Sequence, residues 1–386
     1  MKVKQIPFHK PYITQDEIKA VEEVLKKGWL TYGKKSVEFE EKFKKYIESK
    51  YAIAVSSCTA ALHLALRVIG LQEGDEVLVP AMTFVATAEV VEYFKAKPVF
   101  VDIEKDTHLM NVKDLKRKIT KKTKAIIPVH YSGQPCDMDE ILELARKYNL
   151  YVIEDAAHAL PAWYKDKKIG TVGDITCFSF YATKTLATGE GGMITTNNDK
   201  WAEKLKILRL HGISKDAWKR YTKEGSWKYD VIDLGYKYNI TDIQSALGIE
   251  QLKKLEFMWK EREKIANIYT KEFSKYKYFI PYKIKQDRVS SWHLYPLKLN
   301  LETLKINRNE FIEKLKERGI YTSVHFIPLY RFSYYKRKYN LNYNEFENTE
   351  WVYKRVFSLP IYPGMLEEDI YYVIDNIIDI AKKYER

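Results

Sequence analysis

Seven short apolar runs, separated by helical patterns, constrain the fold of this 386-residue chain more than any other feature. They are YAIAV (51–55), EVLVP (76–80), KPVFVDI (97–103), KAIIPVH (124–130), YVIED (151–155), ITCFSF (175–180) and GGMITT (191–196). Most are unbroken runs, which is typical of strands buried on both faces. The stretches 59–71 and 138–149 between them have helical patterns. We therefore predict an α/β fold with a mostly parallel sheet and helices on both faces.

The sequence after about residue 250 has a different pattern, in which helical and extended stretches alternate. The main stretches are a helical one at 241–273, SWHLYPLKL (291–299), RNEFIEKLKERG (308–319), YTSVHF (321–326) and EEDIYYVIDNIIDIAKKY (367–384). A chain of this length is long for a single core. We predict a large α/β domain at 15–250 and a smaller α+β domain formed by 251–386 together with 1–14.

The formal net charge of +13 has two interpretations. It can reflect a lysine-rich, solvated surface, or it can create a field that attracts an anionic ligand such as a nucleotide. Basic residues are spread along the whole chain, with no polybasic arm and no DNA-reading motif. Nucleic acid is therefore not an expected partner.

Three further features limit the class of protein. The longest weakly charged stretch, 52–71, contains several polar residues and Arg67, so no membrane span is expected. The opening MKVKQIPFHK has no apolar core of a signal peptide, which predicts a cytoplasmic protein. Cys58, Cys136 and Cys177 lie far apart without CxxC spacing, so neither a metal site nor a disulfide framework is predicted.

Ligands of parallel sheets bind beyond the carboxyl ends of the strands, and four stretches place suitable residues there. Ser57, Cys58 and Thr59 follow the run 51–55 and open a helix, whose N-terminus can bind a phosphate. Simple N-capping by serine explains the same pattern. Phe84 follows the run 76–80, where its ring can cover a flat ligand or pack into the core.

The other two stretches carry charge. Asp155 closes YVIED, where a carboxylate is costly to bury unless it pairs with a basic residue or with a cationic ligand group. His158 faces the same crevice if a helical turn follows. Ser179 and Lys184 follow the strand expected at 175–178 and precede a glycine cluster that allows a sharp turn. This lysine lacks the phosphate-loop pattern GxxxxGK[ST], and GEGG does not match GxGxxG.

Together these residues describe one ligand. Thr59 and Ser179 suit a phosphate, Phe84 an aromatic ring, Asp155 a ring cation and Lys184 an aldehyde. That ligand is pyridoxal 5′-phosphate. An enzyme that uses NAD or ATP is disfavoured because the glycine motifs for those cofactors are missing.

At these residues the chain resembles the DegT/DnrJ/EryC1/StrS family of sugar aminotransferases. The motifs that carry the resemblance are GWLTYG (28–33), AVSSCTAALHLAL (54–66), PAMTFVAT (80–87), KAIIPVHYSGQPCDMD (124–139), IEDAAHA (153–159), FSFYATKTLATGEGG (178–192), LRLHGI (208–213), GYKYNITDIQSALG (235–248), VHFIPLY (324–330), NTEW (348–351) and FSLPIYPGM (357–365). Within the family, AIIPVHY, GYKYN and NTEW are most similar to the members that aminate UDP-4-keto-arabinose.

The resemblance implies a type I pyridoxal-phosphate fold and a homodimer with a shared active site. It implies that Lys184 binds the cofactor and acts as the base, that Asp155 keeps the pyridine nitrogen protonated, and that His158 lies near the 3-hydroxyl. A phosphate contact donated by the partner subunit would come from Asn239 or from Lys237. Further expected roles for single residues are sugar or nucleotide contacts by Trp29, Tyr32, His325 and Tyr330.

The implied reaction moves an amino group from L-glutamate, which becomes 2-oxoglutarate, to a nucleotide-linked keto-sugar for surface polysaccharide or lipid A. The alternatives are a 3-aminotransferase of the same fold, a 3-dehydratase, or a regulatory binding protein. The dehydratases replace the lysine with histidine, so Lys184 disfavours them. The regulators carry a DNA-binding domain ahead of family-like sequence, which here begins by about Pro7.

Overall fold

The computed structural model describes residues 4–214 and 228–386 of the chain. Its strands are β1 (Tyr51–Val55), β2 (Glu76–Pro80), β3 (Lys97–Val101), β4 (Thr123–Ile126), β5 (Tyr151–Asp155), β6 (Trp163–Tyr164), β7 (Lys167–Lys168), β8 (Ile175–Ser179), β9 (Gly192–Thr196), β10 (Phe279–Ile280), β11 (Arg288–Val289), β12 (Tyr295–Leu299) and β13 (Val356–Leu359). Its helices are α1 (Gln15–Lys27), α2 (Lys34–Ile47), α3 (Cys58–Val68), α4 (Ala86–Glu92), α5 (Val112–Lys118), α6 (Met138–Tyr148), α7 (Asp199–Leu208), α8 (Asp242–Lys253), α9 (Leu255–Phe273), α10 (Arg308–Glu317), α11 (Ser333–Tyr339), α12 (Glu347–Tyr353) and α13 (Glu367–Lys383).

The central sheet has seven strands in the order β1-β9-β8-β5-β4-β2-β3. The five strands from β8 to β3 pair in parallel, which confirms the predicted mostly parallel α/β architecture. Strand β9 is antiparallel to both of its neighbours, β1 and β8. The loop at 180–191 that joins β8 to β9 contains no helix and turns directly back, and such a return produces antiparallel pairing.

This arrangement determines where the functional residues meet. Because β1, β5 and β8 run in the same direction, their carboxyl ends lie on one edge of the sheet. Val55, Asp155 and Ser179 are the last residues of these strands. The loop that carries Lys184 starts at the same edge.

The C-terminal part of the chain forms a second sheet, β10-β12-β13, with both pairings antiparallel. Ile6 forms a parallel bridge with Ile320, so the N-terminal segment lies against this part. The helical stretch predicted at 241–273 is divided into α8 and α9 at Lys254. YTSVHF (321–326) contributes a single bridge, Ser323 to Ser358, and no strand. Strand β11 pairs with β6, which joins the C-terminal part to the large one.

Candidate active site

One cavity of about 450 Å³ lies at the carboxyl edge of the central sheet. Residues of both parts of the chain line it, among them Phe8, His9, Ser57, Cys58, Thr59, Phe84, Asp155, His158, Ser179, Lys184, His293, His325 and Phe326. The fold therefore brings together all but one of the residues predicted to bind the cofactor, the exception being Asn239. Of the four predicted substrate contacts, only His325 lies here.

Lys184 sits in the loop between β8 and β9, in a turn closed by its own backbone N–H, which donates to the Tyr181 carbonyl (2.8 Å). The hydroxyl of the next residue, Thr185, donates to the Leu160 carbonyl and holds the loop in place. Loss of hydration lowers the pKa of Lys184 to about 8, against the opposing effect of Cys58 and Asp155. About one molecule in ten is then neutral at pH 7, against one in a few thousand for an ordinary lysine.

The lowered pKa of Lys184 predicts how cofactor capture depends on pH. Only the neutral amine attacks an aldehyde, so capture of pyridoxal phosphate by the cofactor-free protein should accelerate about tenfold per pH unit below pH 8. Above pH 8 the rate should level off. Stopped-flow absorbance between pH 6 and 10 measures this midpoint. A midpoint above 10 would contradict the environment described for Lys184.

Asp155 is 5% exposed, and the described residues that donate hydrogen bonds to its carboxylate are neutral. The Thr87 hydroxyl donates to one oxygen (2.9 Å) and the Ala157 N–H to the other (3.1 Å). Burial raises the pKa of this carboxyl, although both hydrogen bonds and the charge of Lys184 oppose the rise. Within 4–214 and 228–386, no basic side chain forms a salt bridge with Asp155. The carboxylate thus keeps acceptor capacity for a cationic group of a ligand.

The N-terminus of α3 also opens into the cavity. The Ser57 hydroxyl accepts from the Ala60 N–H (3.0 Å), so this serine caps the helix as well as lining the cavity. Strand β9 passes close to the backbone of Ser57. A Cβ atom at Gly192 would lie only 2.6 Å from that backbone. Ser179 lies across from it at the end of β8. Free N–H groups and hydroxyls of this kind suit a phosphate.

His158 presents an N–H group to the site. The Ser132 backbone N–H donates to its Nδ1 (3.2 Å), so the proton of the neutral ring lies on Nε2. Burial, followed by the charges of Lys184 and His325, holds the pKa of His158 well below its ordinary value. The imidazole is therefore a neutral donor at physiological pH.

Phe84 is 58% exposed, so it does not pack into the core. Its ring lies at the cavity with its centroid 6.1 Å from that of Phe326, which in turn stacks on His158. The ring is free to cover a flat ligand.

The prediction that Tyr330 contacts the sugar is wrong. This residue is 0% exposed, its hydroxyl donates to Glu350 (2.8 Å), and its ring stacks on Phe346. Within VHFIPLY, His325 and Phe326 line the cavity and Ile327 is exposed, whereas Leu329 and Tyr330 are buried in the protein. Burial of the whole ring leaves no surface for a ligand.

Three other predicted residues lie outside the lining of this cavity. Trp29 donates from Nε1 to the Tyr32 carbonyl (3.2 Å), and the Tyr32 hydroxyl donates to Glu40 (3.0 Å). Asn239 bridges Val55 through its backbone and donates its amide N–H to the Ile240 carbonyl (3.0 Å). Trp29, Tyr32 and Asn239 are thus not part of this cavity as a single subunit forms it.

The lining residues that the sequence analysis did not predict include Phe8, His9, His293 and Phe326. They come from segments far apart in the chain whose local patterns mark no site. The one signal that could have pointed to the two histidines is residue type. Half of the eight histidines of the chain line this cavity.

A lysine with a lowered pKa, a buried carboxylate without a cation, a helix N-terminus and an exposed ring fit pyridoxal 5′-phosphate. Fold and site together define a pyridoxal-phosphate-dependent enzyme of the type I fold. The profile of the DegT/DnrJ/EryC1/StrS aminotransferase family matches residues 11–378. The chain belongs to this family and is a sugar aminotransferase.

Individual relatives are similar to this chain over nearly its whole length. SpsC of Bacillus subtilis, a spore coat polysaccharide biosynthesis protein, is 46% identical over 98% of this chain and 97% of its own. The structure of Spr1654 from Streptococcus pneumoniae in its PMP form has a TM-score of 0.92 at 34% identity and covers 98% of this chain and all of its own. Helicobacter pylori PseC is an aminotransferase involved in the biosynthesis of pseudoaminic acid. Its structure has a TM-score of 0.92 at 30% identity and covers 99% of this chain and 100% of its own.

Two features are absent from residues 4–214 and 228–386: a helix that could span a membrane and a cluster of metal ligands. No helix combines the length and apolar character needed to cross a bilayer. No cluster of three or more histidine, cysteine, aspartate or glutamate side chains there could hold a metal ion.

Proposed function

We propose that this enzyme moves the amino group of L-glutamate to a nucleotide-linked keto-sugar, with a UDP-linked 4-keto-sugar favoured. The observation that carries the proposal is the convergence of Lys184, Asp155 and the N-terminus of α3 in one cavity. SpsC is a spore coat polysaccharide biosynthesis protein, and PseC is an aminotransferase involved in the biosynthesis of pseudoaminic acid. Both support a product used in surface polysaccharide or lipid A.

The proposed roles follow from the chemistry of each side chain. The cofactor, when bound, supplies an electron sink for the charge left on the reacting carbon. Lys184 Nζ would bind the cofactor aldehyde and then, once displaced, take the α-proton of the donor and return it. Asp155 would hold the proton on the ring nitrogen, and the Nε2–H of His158 would donate to the 3-oxygen. Ser57, Thr59 and Ser179, with the free N–H groups of α3 that begin at Cys58, would bind the phosphate, and Phe84 would cover the ring.

We also propose a homodimer in which each subunit completes the other's site. Val231, Ile232 and Leu234 expose more than half of their surfaces, and Trp29 exposes 40%. An apolar surface of this kind suits an interface between subunits. Lys237 is exposed, whereas Asn239 is partly buried and donates one of its two amide N–H groups to the Ile240 carbonyl. We therefore favour Lys237 for the phosphate contact in the partner subunit, and Trp29 and Tyr32 for contacts at its mouth.

The experiment offers the cofactor-loaded protein L-glutamate and a panel of UDP-, GDP- and dTDP-linked 3-keto- and 4-keto-sugars. We expect 2-oxoglutarate and an amino sugar from a UDP-linked 4-keto-sugar, identified by mass spectrometry. Amination of a 3-keto-sugar alone would favour the 3-aminotransferase, and loss of a hydroxyl without amination would favour the dehydratase. Failure of every nucleotide sugar, with glutamate still consumed, would overturn the proposed acceptor.

A further inference from the structure

His293 is a buried polar residue of the cavity whose imidazole the fold leaves unbonded. The residue lines the cavity just before β12 and is only 5% exposed. Its Nδ1 is buried and has no hydrogen-bond partner within residues 4–214 and 228–386. By contrast, Nδ1 of His325, on the same cavity, forms a hydrogen bond with the Ser358 hydroxyl (2.9 Å). Buried polar groups without a partner are rare, so the His293 ring needs an explanation.

The backbone around His293 is held by side chains from two distant segments. Nη1 of Arg262 donates to the carbonyls of His293 (3.2 Å) and of Ile361 (2.8 Å). The Ser132 hydroxyl donates to the carbonyl of the next residue, Leu294 (2.6 Å). Arg262 is 1% exposed and lies outside the cavity lining, so it supports the histidine without facing a ligand.

Burial determines which nitrogen of the ring a ligand can reach. Since Nδ1 is enclosed, Nε2 is the nitrogen available to the cavity. A buried N–H without an acceptor is rarer in proteins than an unused acceptor, so the proton of the neutral ring belongs on Nε2. Burial also holds the pKa of His293 well below its ordinary value, and a charged ring would donate from Nε2 as well. His293 therefore presents an N–H donor to the cavity.

The position of this donor follows from its contact with His158. The centroids of the two imidazole rings are 4.4 Å apart. In the proposed function, His158 donates to the 3-oxygen of the cofactor. The aldehyde carbon of pyridoxal phosphate, which receives the substrate nitrogen, is attached to the ring beside that oxygen. A second donor next to His158 therefore adjoins the substrate carbon that carries the amino group.

The amino donor has a carboxylate on that same carbon. Among the described residues that line the cavity, Lys184 is the one lysine and there is no arginine. Lys184 is used by the cofactor, and Asp155 and Glu190 on the same lining carry the wrong charge. We propose that the Nε2–H group of His293 binds the α-carboxylate of the amino donor, in the place of the arginine that often binds such a group. This inference rests on the proposed function.

Two substitutions separate hydrogen bonding from packing. In His293→Gln the side-chain amide reaches the position of Nε2 and can donate there, whereas in His293→Asn it ends near the position of Nδ1. Both variants lose the contact with the His158 ring. The matched control is His108→Asn, because His108 is 1% exposed, has two unpartnered ring nitrogens and lies outside the cavity lining. Its φ of +57° also suits asparagine.

The main measurement is the half-reaction of the cofactor-loaded protein with L-glutamate, followed by single-turnover absorbance at a series of glutamate concentrations. We expect His293→Asn to raise the half-saturating concentration about tenfold, because a hydrogen bond to a charged group is lost, with the maximal rate changed less than about threefold. His293→Gln should stay within about threefold of the wild type in both quantities. His108→Asn should stay within about twofold.

Two analogues of glutamate identify the carboxylate that is bound. 4-Aminobutanoate lacks the α-carboxylate, and L-2-aminobutanoate lacks only the side-chain carboxylate. Half-saturation by each is measured from its own reaction or from competition with L-glutamate. The effect of His293→Asn should persist with L-2-aminobutanoate and disappear with 4-aminobutanoate, because the second partner of the hydrogen bond is then missing. The half-saturating concentration of the keto-sugar should change less than about twofold.

An unchanged half-saturating concentration of glutamate in His293→Asn would overturn the proposal. An equal increase with 4-aminobutanoate, or with the keto-sugar, would also overturn it, because His293 would then not recognise the α-carboxylate. Thermal melting and the absorbance of the bound cofactor identify a variant that fails to fold or load. His293→Leu, which keeps apolar bulk and removes the donor, then replaces His293→Asn.

Failure of the proposed function gives a different result. A wild-type protein that ignores glutamate but reacts with another amino acid would show that the proposed amino donor is wrong. The same comparison, made with that amino acid and with the amine that lacks its α-carboxylate, would still decide the role of His293. The amino-donor half-reaction needs no sugar, so it is also independent of the panel of nucleotide sugars.

Discussion

Replacing Lys184 with alanine should reduce transamination by about 10⁴-fold, because the same amine would bind the cofactor and move the proton. The variant mixed with pyridoxal phosphate should remain without the yellow lysine-linked band. The phosphate and ring contacts remain in Lys184→Ala, so the cofactor should still bind non-covalently. Single-turnover absorbance with glutamate measures the first effect. Borohydride reduction followed by peptide mass spectrometry should place the cofactor on Lys184 in the wild type.

The chain offers a matched control in Lys298. Burial lowers the pKa of this lysine to about 8 as well, but its amine donates to the backbone carbonyl of Lys105 (2.9 Å) and it lies outside the cavity lining. Lys298→Met should lower stability yet keep the colour and the half-reaction. Comparison of the two variants tests whether position in the cavity, rather than a low pKa alone, makes a lysine functional. Borohydride labelling of Lys298, or full activity of Lys184→Ala, would refute the assignment.

Most of the strands could be predicted because their sequences are unbroken apolar runs. Three of the apolar runs coincide with the strands Tyr51–Val55, Glu76–Pro80 and Tyr151–Asp155. An unbroken apolar run of this length is typical of a strand that is buried on both faces. The reversed direction of β9 could not be predicted from its composition. Strand direction depends on the connection from β8, and the glycines of GEGG allow several paths.

The candidate site was predictable where a residue follows a strand directly. Asp155 and Ser179 end strands, so sheet geometry alone brings them together. Residues such as His9, His293 and Phe326 reach the cavity through packing between distant segments, which local patterns do not encode. Tyr330 shows the opposite error, because a family motif was extended past the point at which the chain turns inward.

Changing Asp155 to asparagine should slow the glutamate half-reaction about 10²- to 10³-fold, the usual effect of removing one preorganised electrostatic group. The amide has nearly the same shape and can still accept from Thr87, but it carries no charge to keep a ring nitrogen protonated. Covalent capture by Lys184 should persist, so the absorbance band should form while the reaction with glutamate slows. Stopped-flow single turnovers measure both steps in one sample.

A matched carboxylate and an altered cofactor distinguish charge from structure in this prediction. Asp174 is another carboxylate whose pKa burial raises; it accepts from the Val152 N–H (2.8 Å) beside the same strand, β5, but lies outside the cavity. Asp174→Asn should therefore change stability and leave the half-reaction rate within about twofold.

In Asp155→Ala, a pyridoxal phosphate methylated on the ring nitrogen carries a fixed positive charge and needs no carboxylate to keep it. That cofactor should recover most of the lost rate, because the missing element is the charge on the nitrogen rather than the shape of the pocket. A half-reaction in Asp155→Asn that is as fast as in the wild type would show that another group holds the ring proton.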